Sequence, residues 1–414
     1  MTRIFNFAAG PSAMPLPVLE QAASEMTDWH GVGYSILEMS HRSKEFMGIY
    51  GETVEMLREL YGIPEEYEVM FVQGGGHLQF AMIPLNFAVG GIGNYAVDGV
   101  WSRKAFNEAQ KIGEAAEVAC TELRAPRQDE LAVTDGAAYL YYCSNETVNG
   151  IRYWYRPEVN VPLIADMSSD FLSQPVDISK YGLIFAGAQK NFGPAGLTVV
   201  IARKDLLGRA ESTTPTMLDY QTYANFESMY NTPPTFAIYI SHLVCKWLLA
   251  EGGVKEMERR SILKSQKIYD AIDNSDGFYY NNIEKRPRSR MNVVFNLKNE
   301  ELNQLFIEEA LQKGLANIKG HRIVGGMCFA LQRGQRGSRR SSGRLHEGFC
   351  RTSQLRAEPC LSTKNCFLFV IRSTGSIPSS SAYSTSGRRS PKKLARSRLG
   401  PVSRFTDPNA KRKF

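Results

Sequence analysis

Five short apolar runs constrain this chain more than any other feature: YEVMFV (67–72), AAYLYY (137–142), VPLIA (161–165), YGLIFA (181–186) and LTVVIA (197–202). Each is continuous. A strand with one face in water alternates apolar and polar side chains, so a continuous run suits a strand covered on both faces. Helical patterns lie between the runs. Phe46, Ile49, Tyr50, Val54, Leu57, Leu60 and Tyr61 recur at helical spacing, and Gly62 and Pro64 end that segment. Buried strands joined by helices predict an α/β fold built on a mainly parallel sheet. A second unit is expected after the apolar helix around Leu243–Leu249, where RMNVVFNL (290–297) reads as a strand and NEELNQLFIEEALQKG (299–314) as an amphipathic helix. The expected division is an N-terminal segment (1–15), a large domain (16–255), a small α/β domain (256–327) and a basic tail of low order (328–414).

The net charge of +7 conceals an uneven distribution. From Cys328 onward there are 19 Lys and Arg against 3 Asp and Glu, whereas the first 327 residues hold 30 against 39. The body is acidic, so the overall balance gives no argument for a nucleic-acid partner. No apolar run reaches the roughly 18 residues of a membrane span, and MTRIFNFAAG lacks the pattern of a secretory leader. The expectation is a cytoplasmic protein without membrane contact. The seven cysteines show no paired spacing, which predicts free or buried thiols rather than a zinc site or disulfides.

The segment YGLIFAGAQKNFGPAGLTVVIA (181–202) carries the clearest chemical signal. A buried strand ends in small residues, then Lys190, then a Gly/Pro loop. An amine at that place is poorly solvated, which favours its neutral, nucleophilic form, and small neighbours leave room for a flat group. Alone, Lys190 also fits a loop lysine reaching water. In LIADMSSDF, Asp166 ends another buried strand, where α/β sheets bind ligands. A buried carboxylate there needs a cationic partner, such as a protonated pyridine nitrogen, unless it simply caps a helix. VQGGGHLQF (72–80) places bare backbone N–H groups before a helix, an arrangement that suits an anion or a plain tight turn. Trp101 offers an aromatic plane or a core side chain. Thr147 is a donor or a turn residue. His41, Arg42, Asn231 and Thr232 lie in polar stretches that also fit solvated loops.

Taken together, FNFAAGP, MSHRS, FVQGGGHLQF, DGVW, SNETVNG, ADMSSDFLSQP, FAGAQKNFGPAGLTVVI, MYNTPPTFAIY and GHRIVGGM resemble the phosphoserine aminotransferases, in order from about Ile4 to Met327. That resemblance implies a fold-type-I pyridoxal-phosphate transferase with a large, mainly parallel seven-stranded sheet and a small α/β domain. It implies Lys190 as the Schiff-base lysine and proton carrier, Asp166 on the pyridine nitrogen, Trp101 on the ring and Thr147 on the 3-hydroxyl. Gly76, His77 and Gln189 match the phosphate cup, and Asn231 and Thr232 reach the same phosphate from the second subunit of a homodimer. His41 and Arg42, also from the partner, join His321 and Arg322 around the substrate phosphate or the glutamate side chain. The implied reaction moves an amino group from glutamate to 3-phosphohydroxypyruvate, giving 2-oxoglutarate and O-phosphoserine; related members also act on a four-carbon phosphate of pyridoxine synthesis. The family often has Ser in place of Ala8 or Ala9, which weakens one substrate contact.

After Met327 the family continues with Arg-Ala-Ser and an amphipathic helix, whereas this chain reads CFALQRGQRGSRRSSGRLHEGFC. Permissible codons for Cys328–Cys350, read one base later, give ASLYNAVNEEAVEALVDFMKDF, with the family's ending and a helical apolar period. This reads as a shift of frame at the Arg codon, and the Arg/Ser/Gly run as its product. An impaired enzyme is the expectation. The competing readings are a non-catalytic relic, or another enzyme of the same fold such as a lyase or desulfurase. A desulfurase needs a mobile loop Cys, and no Cys before Met327 lies in a Gly/Ser-rich loop.

Overall fold

The continuous apolar runs become strands of one seven-stranded sheet in the computed structural model, which describes residues 3–332. In chain order the strands are β1 (Tyr67–Gln73), β2 (Gly93–Val97), β3 (Ala115–Cys120), β4 (Tyr139–Cys143), β5 (Leu163–Asp166), β6 (Leu183–Gly187) and β7 (Leu197–Arg203). They lie side by side as β1-β7-β6-β5-β4-β2-β3. β7 alone is antiparallel to its neighbours; the other pairings are parallel.

The runs show no polar alternation because their two faces enter two different cores. Val69, Phe71, Leu140, Tyr142, Ile184, Ala186, Val199 and Ile201 pack into one cluster. Their neighbours Met70, Val72, Tyr139, Tyr141, Leu183, Phe185, Val200 and Ala202 pack into the other. The helix Lys44–Tyr61 covers the first face against the helix Thr235–Ala250. Ser43 caps it, its hydroxyl oxygen accepting from the Phe46 N–H at 3.1 Å, and Gly62 ends it at φ 61°. That left-handed conformation favours glycine. β2 and β3 fall outside the five runs. β3 lies at the sheet edge with only Val118 fully buried, so it carries no continuous apolar signal.

The second unit is a three-stranded antiparallel sheet, β8 (Tyr279–Tyr280), β9 (Asn292–Leu297) and β10 (Met327–Ala330), with β9 in the middle. The helix Leu302–Gln312 packs on it. Two features of this unit were not legible in the sequence. Phe5–Asn6 pairs in parallel with Leu315–Ala316, and Phe7 joins the unit's core, so the N-terminal segment is part of it. The second concerns the expected low order from Cys328. The strand continues through Ala330, with Phe329 stacked on Phe295 at 5.3 Å and Leu331 buried. Backbone pairing is indifferent to side-chain identity, and Phe329 and Leu331 supply apolar side chains to the inner face. The remainder of the basic stretch, and the helix whose loss was expected there, lie outside the described residues.

The helix Gly253–Asp273 joins the units: Val254 and Met257 belong to the main core, and Ile268, Tyr269 and Ile272 to the second. The expected division after residue 255 therefore falls within one helix. No helix among the described residues is long and apolar enough to cross a membrane.

Candidate active site

Parallel strands gather their carboxyl ends on one edge of the sheet, and ligand sites form there. Asp166 is the last residue of β5, and Gly76, Trp101, Thr147 and Lys190 each follow within four residues of the ends of β1, β2, β4 and β6.

Lys190 lies in the one-turn helix Ala188–Asn191 and is only 9% exposed. Its Nζ donates to Thr147 Oγ1 and stands 4.9 Å from the centre of the Trp101 ring. Ser12 clamps this turn from the N-terminal segment: its hydroxyl donates to the Lys190 carbonyl, and its N–H to the Gln189 carbonyl at 2.9 Å. Asp166 is buried and accepts from the Ser168 N–H at 2.8 Å. Burial raises its carboxyl above the ordinary value, and the charge of Lys190 draws it back down.

Gly76 opens the helix Gly76–Phe87 and abuts the Lys190 turn. A Cβ on Gly187 would stand 3.3 Å from the Gly76 nitrogen and 3.0 Å from Gln189 Oε1. Gly187 donates its N–H to Ser168 Oγ at 3.0 Å, which joins the same group to Asp166. His77, in the first turn of that helix, is exposed, with its ring edge-on to Trp101 at 5.2 Å. Desolvation and the charge of Lys104 lower its imidazole pKa. Gln189 Oε1 and Trp101 Nε1 are buried and have no hydrogen-bond partner among the described residues.

A cavity of about 560 Å³ is lined by Lys190, Thr147, Trp101 and Gln189 from the large sheet and by His321, Arg322 and Cys328 from the second unit. Burial pushes the Cys328 thiol up to about 12, so it brings no charge to that wall at neutral pH. Asp166, Gly76 and His77 do not line the cavity; the charge of Lys190 acts on Asp166, Gly76 and Gln189 both crowd Gly187, and His77 packs edge-on against Trp101. His41, Arg42, Asn231 and Thr232 do not line the cavity either. Arg42 Nε donates to His41 Nε2 at 3.3 Å, and Asn231 Nδ2 donates to Gln73 Oε1 at 3.2 Å. These four are the residues that the resemblance gives to a neighbouring subunit.

Sequence reading assigned no role to Ser12, Ser102, Glu146 or Asn149. For the last two a signal was available, because SNETVNG is polar at five of seven positions yet lies between apolar strands. A polar segment folded into a core must satisfy its groups locally.

Residues 4–355 match the family described as Aminotransferase class-V. A phosphoserine aminotransferase of Laribacter hongkongensis is 50% identical over 333 residues, covering 79% of this chain and 93% of the relative. One of Azotobacter vinelandii is 51% identical over 335 residues, covering 80% and 92%. Among solved structures, the phosphoserine aminotransferase of Bacillus circulans subsp. alkalophilus superposes with a TM-score of 0.80 at 39% identity, covering 90% of this chain and 98% of that one. The pyridoxal-phosphate-bound enzyme of Trichomonas vaginalis gives 0.78 at 37%, covering 89% and 100%. The chain belongs to the class-V aminotransferases and, within them, to the phosphoserine aminotransferase family.

Proposed function

We propose that this chain is a pyridoxal-phosphate-dependent phosphoserine aminotransferase, moving the amino group of glutamate to 3-phosphohydroxypyruvate in serine biosynthesis. The observation that carries the reading is Lys190: a buried amine on the cavity wall, bonded to Thr147, beside an indole ring and in the field of Asp166. The residues present suit the cofactor. The unpartnered Trp101 Nε1, the backbone N–H at Gly76 and the cavity space beside Trp101 are features that a phosphorylated aromatic ring would use.

When bound, pyridoxal phosphate supplies an aldehyde that captures an amine and a ring that accepts the electron pair released at the substrate Cα. Lys190 would hold the aldehyde carbon and then carry the proton to and from Cα. Asp166, ionised opposite the pyridine nitrogen, would keep that nitrogen protonated. Thr147 would donate to the 3-hydroxyl, Trp101 would cover the ring, and Gly76, His77 and Gln189 would hold the phosphate. His321 and Arg322 supply donors suited to the substrate phosphate or the glutamate carboxylate. We assign Asn231, Thr232, His41 and Arg42 to the neighbouring site of a homodimer, consistent with their standing off this cavity. A cytoplasmic location, the division into large and small domains, and action on the four-carbon phosphate of pyridoxine synthesis belong to the same reading.

The test is reconstitution with pyridoxal phosphate. The parent protein should develop a visible band that borohydride abolishes, leaving a reduced adduct on Lys190, and Lys190→Ala should take up no label. Undiminished labelling of the variant would overturn the assignment.

A further inference from the structure

Glu146 is completely buried, and the function proposed above does not use it. It precedes Thr147 in the loop that holds Lys190. One carboxylate oxygen accepts from the Trp101 N–H at 3.0 Å. The other accepts from the Ser102 N–H at 2.6 Å and the Ser102 hydroxyl at 2.7 Å. These N–H groups belong to the first turn of the helix Val100–Ala109, where no intrahelical partner exists and the helix dipole favours an anion. Asn149 Oδ1 accepts the Val100 N–H at 3.0 Å, and Ser102 Oγ accepts the N–H groups of Asp98 and Gly99 at 3.1 Å. Gly99 admits the loop, since a Cβ there would stand 2.4 Å from Glu146 Cδ and 2.8 Å from Asn149 Oδ1.

One loop therefore holds both flanks of the site. Thr147 fixes Lys190, while Glu146 and Asn149 fix the helix turn that presents Trp101. Asn145 ties the loop to the second unit, donating to Asn292 Oδ1 at 3.0 Å. Asp98 is also fully buried, and burial together with the Glu146 charge pushes its carboxyl well up. Burial raises Glu146 too, and the three hydrogen bonds it accepts from Trp101 and Ser102 draw it back down.

We propose that Glu146 is a positioning residue of this active site, which sets the separation of the Trp101 ring from Lys190 and so the space for a flat group bound there. The proposal rests on the cofactor reading above.

The experiment uses the full chain, titrated with pyridoxal phosphate. Glu146→Gln keeps the shape but turns one acceptor into a donor aimed at an N–H group. It should weaken cofactor affinity about 10- to 100-fold, the range for a hydrogen bond to a charged group, and change the visible circular dichroism of the bound cofactor. In a Trp101→Ala background, where there is no indole to position, the same substitution should cost less than about 3-fold. Should Glu146→Gln fail to fold, Ser102→Ala, which removes one of the three bonds, should move affinity and dichroism in the same direction by a smaller factor. An unchanged dichroic band and affinity in Glu146→Gln, or a full effect that persists without Trp101, would overturn the proposal while leaving the cofactor reading intact. A parent protein with no borohydride-sensitive band would overturn both.

Discussion

Lys190 and Arg322 line the same cavity under opposite physical conditions. Lys190 is buried, bonded through its amine to Thr147, and clamped through its backbone by Ser12. Arg322 is exposed, in a loop closed by backbone bonds from Gly320 to Gly326 and from Gly325 to His321, both 2.8 Å, with Gly325 and Gly326 at φ 67° and 62°. On the wall from the large sheet Lys190, Thr147 and Ser12 hold one another. The wall from the second unit offers the Arg322 guanidinium to water, and its pull on an anion strengthens when that anion excludes the water. It also holds Cys328, at the position where the resemblance implies an arginine.

The largest effect should come from the wall that holds Lys190. Lys190→Ala should lower turnover by at least about four decades, as loss of a residue that carries the chemistry does. Stopped-flow and steady-state assays with glutamate and phosphohydroxypyruvate measure it. A loss of less than tenfold would mean that the two walls matter equally.

The next effect belongs to the wall that holds Cys328. Cys328→Arg should raise kcat/KM over the parent, since a buried charge pair missing one partner costs roughly 2–5 kcal/mol. At about 1.36 kcal/mol per decade, that is roughly one and a half to three and a half decades. The same assay with a chain that ends in RASLYNAVNEEAVEALVDFMKDF separates the arginine from the helix. If parent, Cys328→Arg and restored chain have equal activity, neither loss matters.

A third prediction asks whether each cavity is completed by a second copy. Inactive Lys190→Ala mixed with inactive Arg42→Ala should recover roughly a quarter of the intact sites through hybrid dimers. Verified subunit exchange without recovery would return His41 and Arg42 to the surface of a single chain.

The smallest effect concerns the scaffold under the large sheet. His242, buried on the helix Thr235–Ala250, has its imidazole lowered from 6.5 to about 4, chiefly by burial and then by Lys246, against the opposing charge of Glu25. The unfolded chain takes up a proton first as pH falls. Stability from neutral His242 is thus complete above pH 6.5 and lost between 6.5 and about 4, by at most about 3 kcal/mol. His242→Gln should flatten the fall in thermal midpoint over that window; an unchanged slope would rule His242 out as its source.

Much of the site was legible because local sequence encodes it. Asp166 and Lys190 stand at the ends of runs whose continuity marks them as buried strands, and Gly74 and Gly75 separate a strand from the helix that Gly76 opens. Trp101 and Thr147, each just past a strand-like segment, also fitted a core side chain and a turn residue, and the resemblance decided between the readings. Glu146, Asn149 and Ser12 went unread for a different reason. Each acts through a backbone group far along the chain, and no spacing rule connects residue 146 to residue 101 or residue 12 to residue 190.

The sequence by itself determined the two-faced burial of the sheet strands, the helix that ends at Gly62, and the place of the amine and the carboxylate at strand ends. Those follow from periodicity and from glycine's conformational freedom, which are properties of neighbours in the chain. Only the tertiary structure decided that β7 runs antiparallel, that the N-terminal segment joins the second unit, that β10 persists through Ala330, and that one loop holds both Trp101 and Lys190. Each depends on pairing between distant segments. Backbone hydrogen bonds and buried polar groups find their partners by proximity in the folded state, and a one-dimensional pattern does not carry that information.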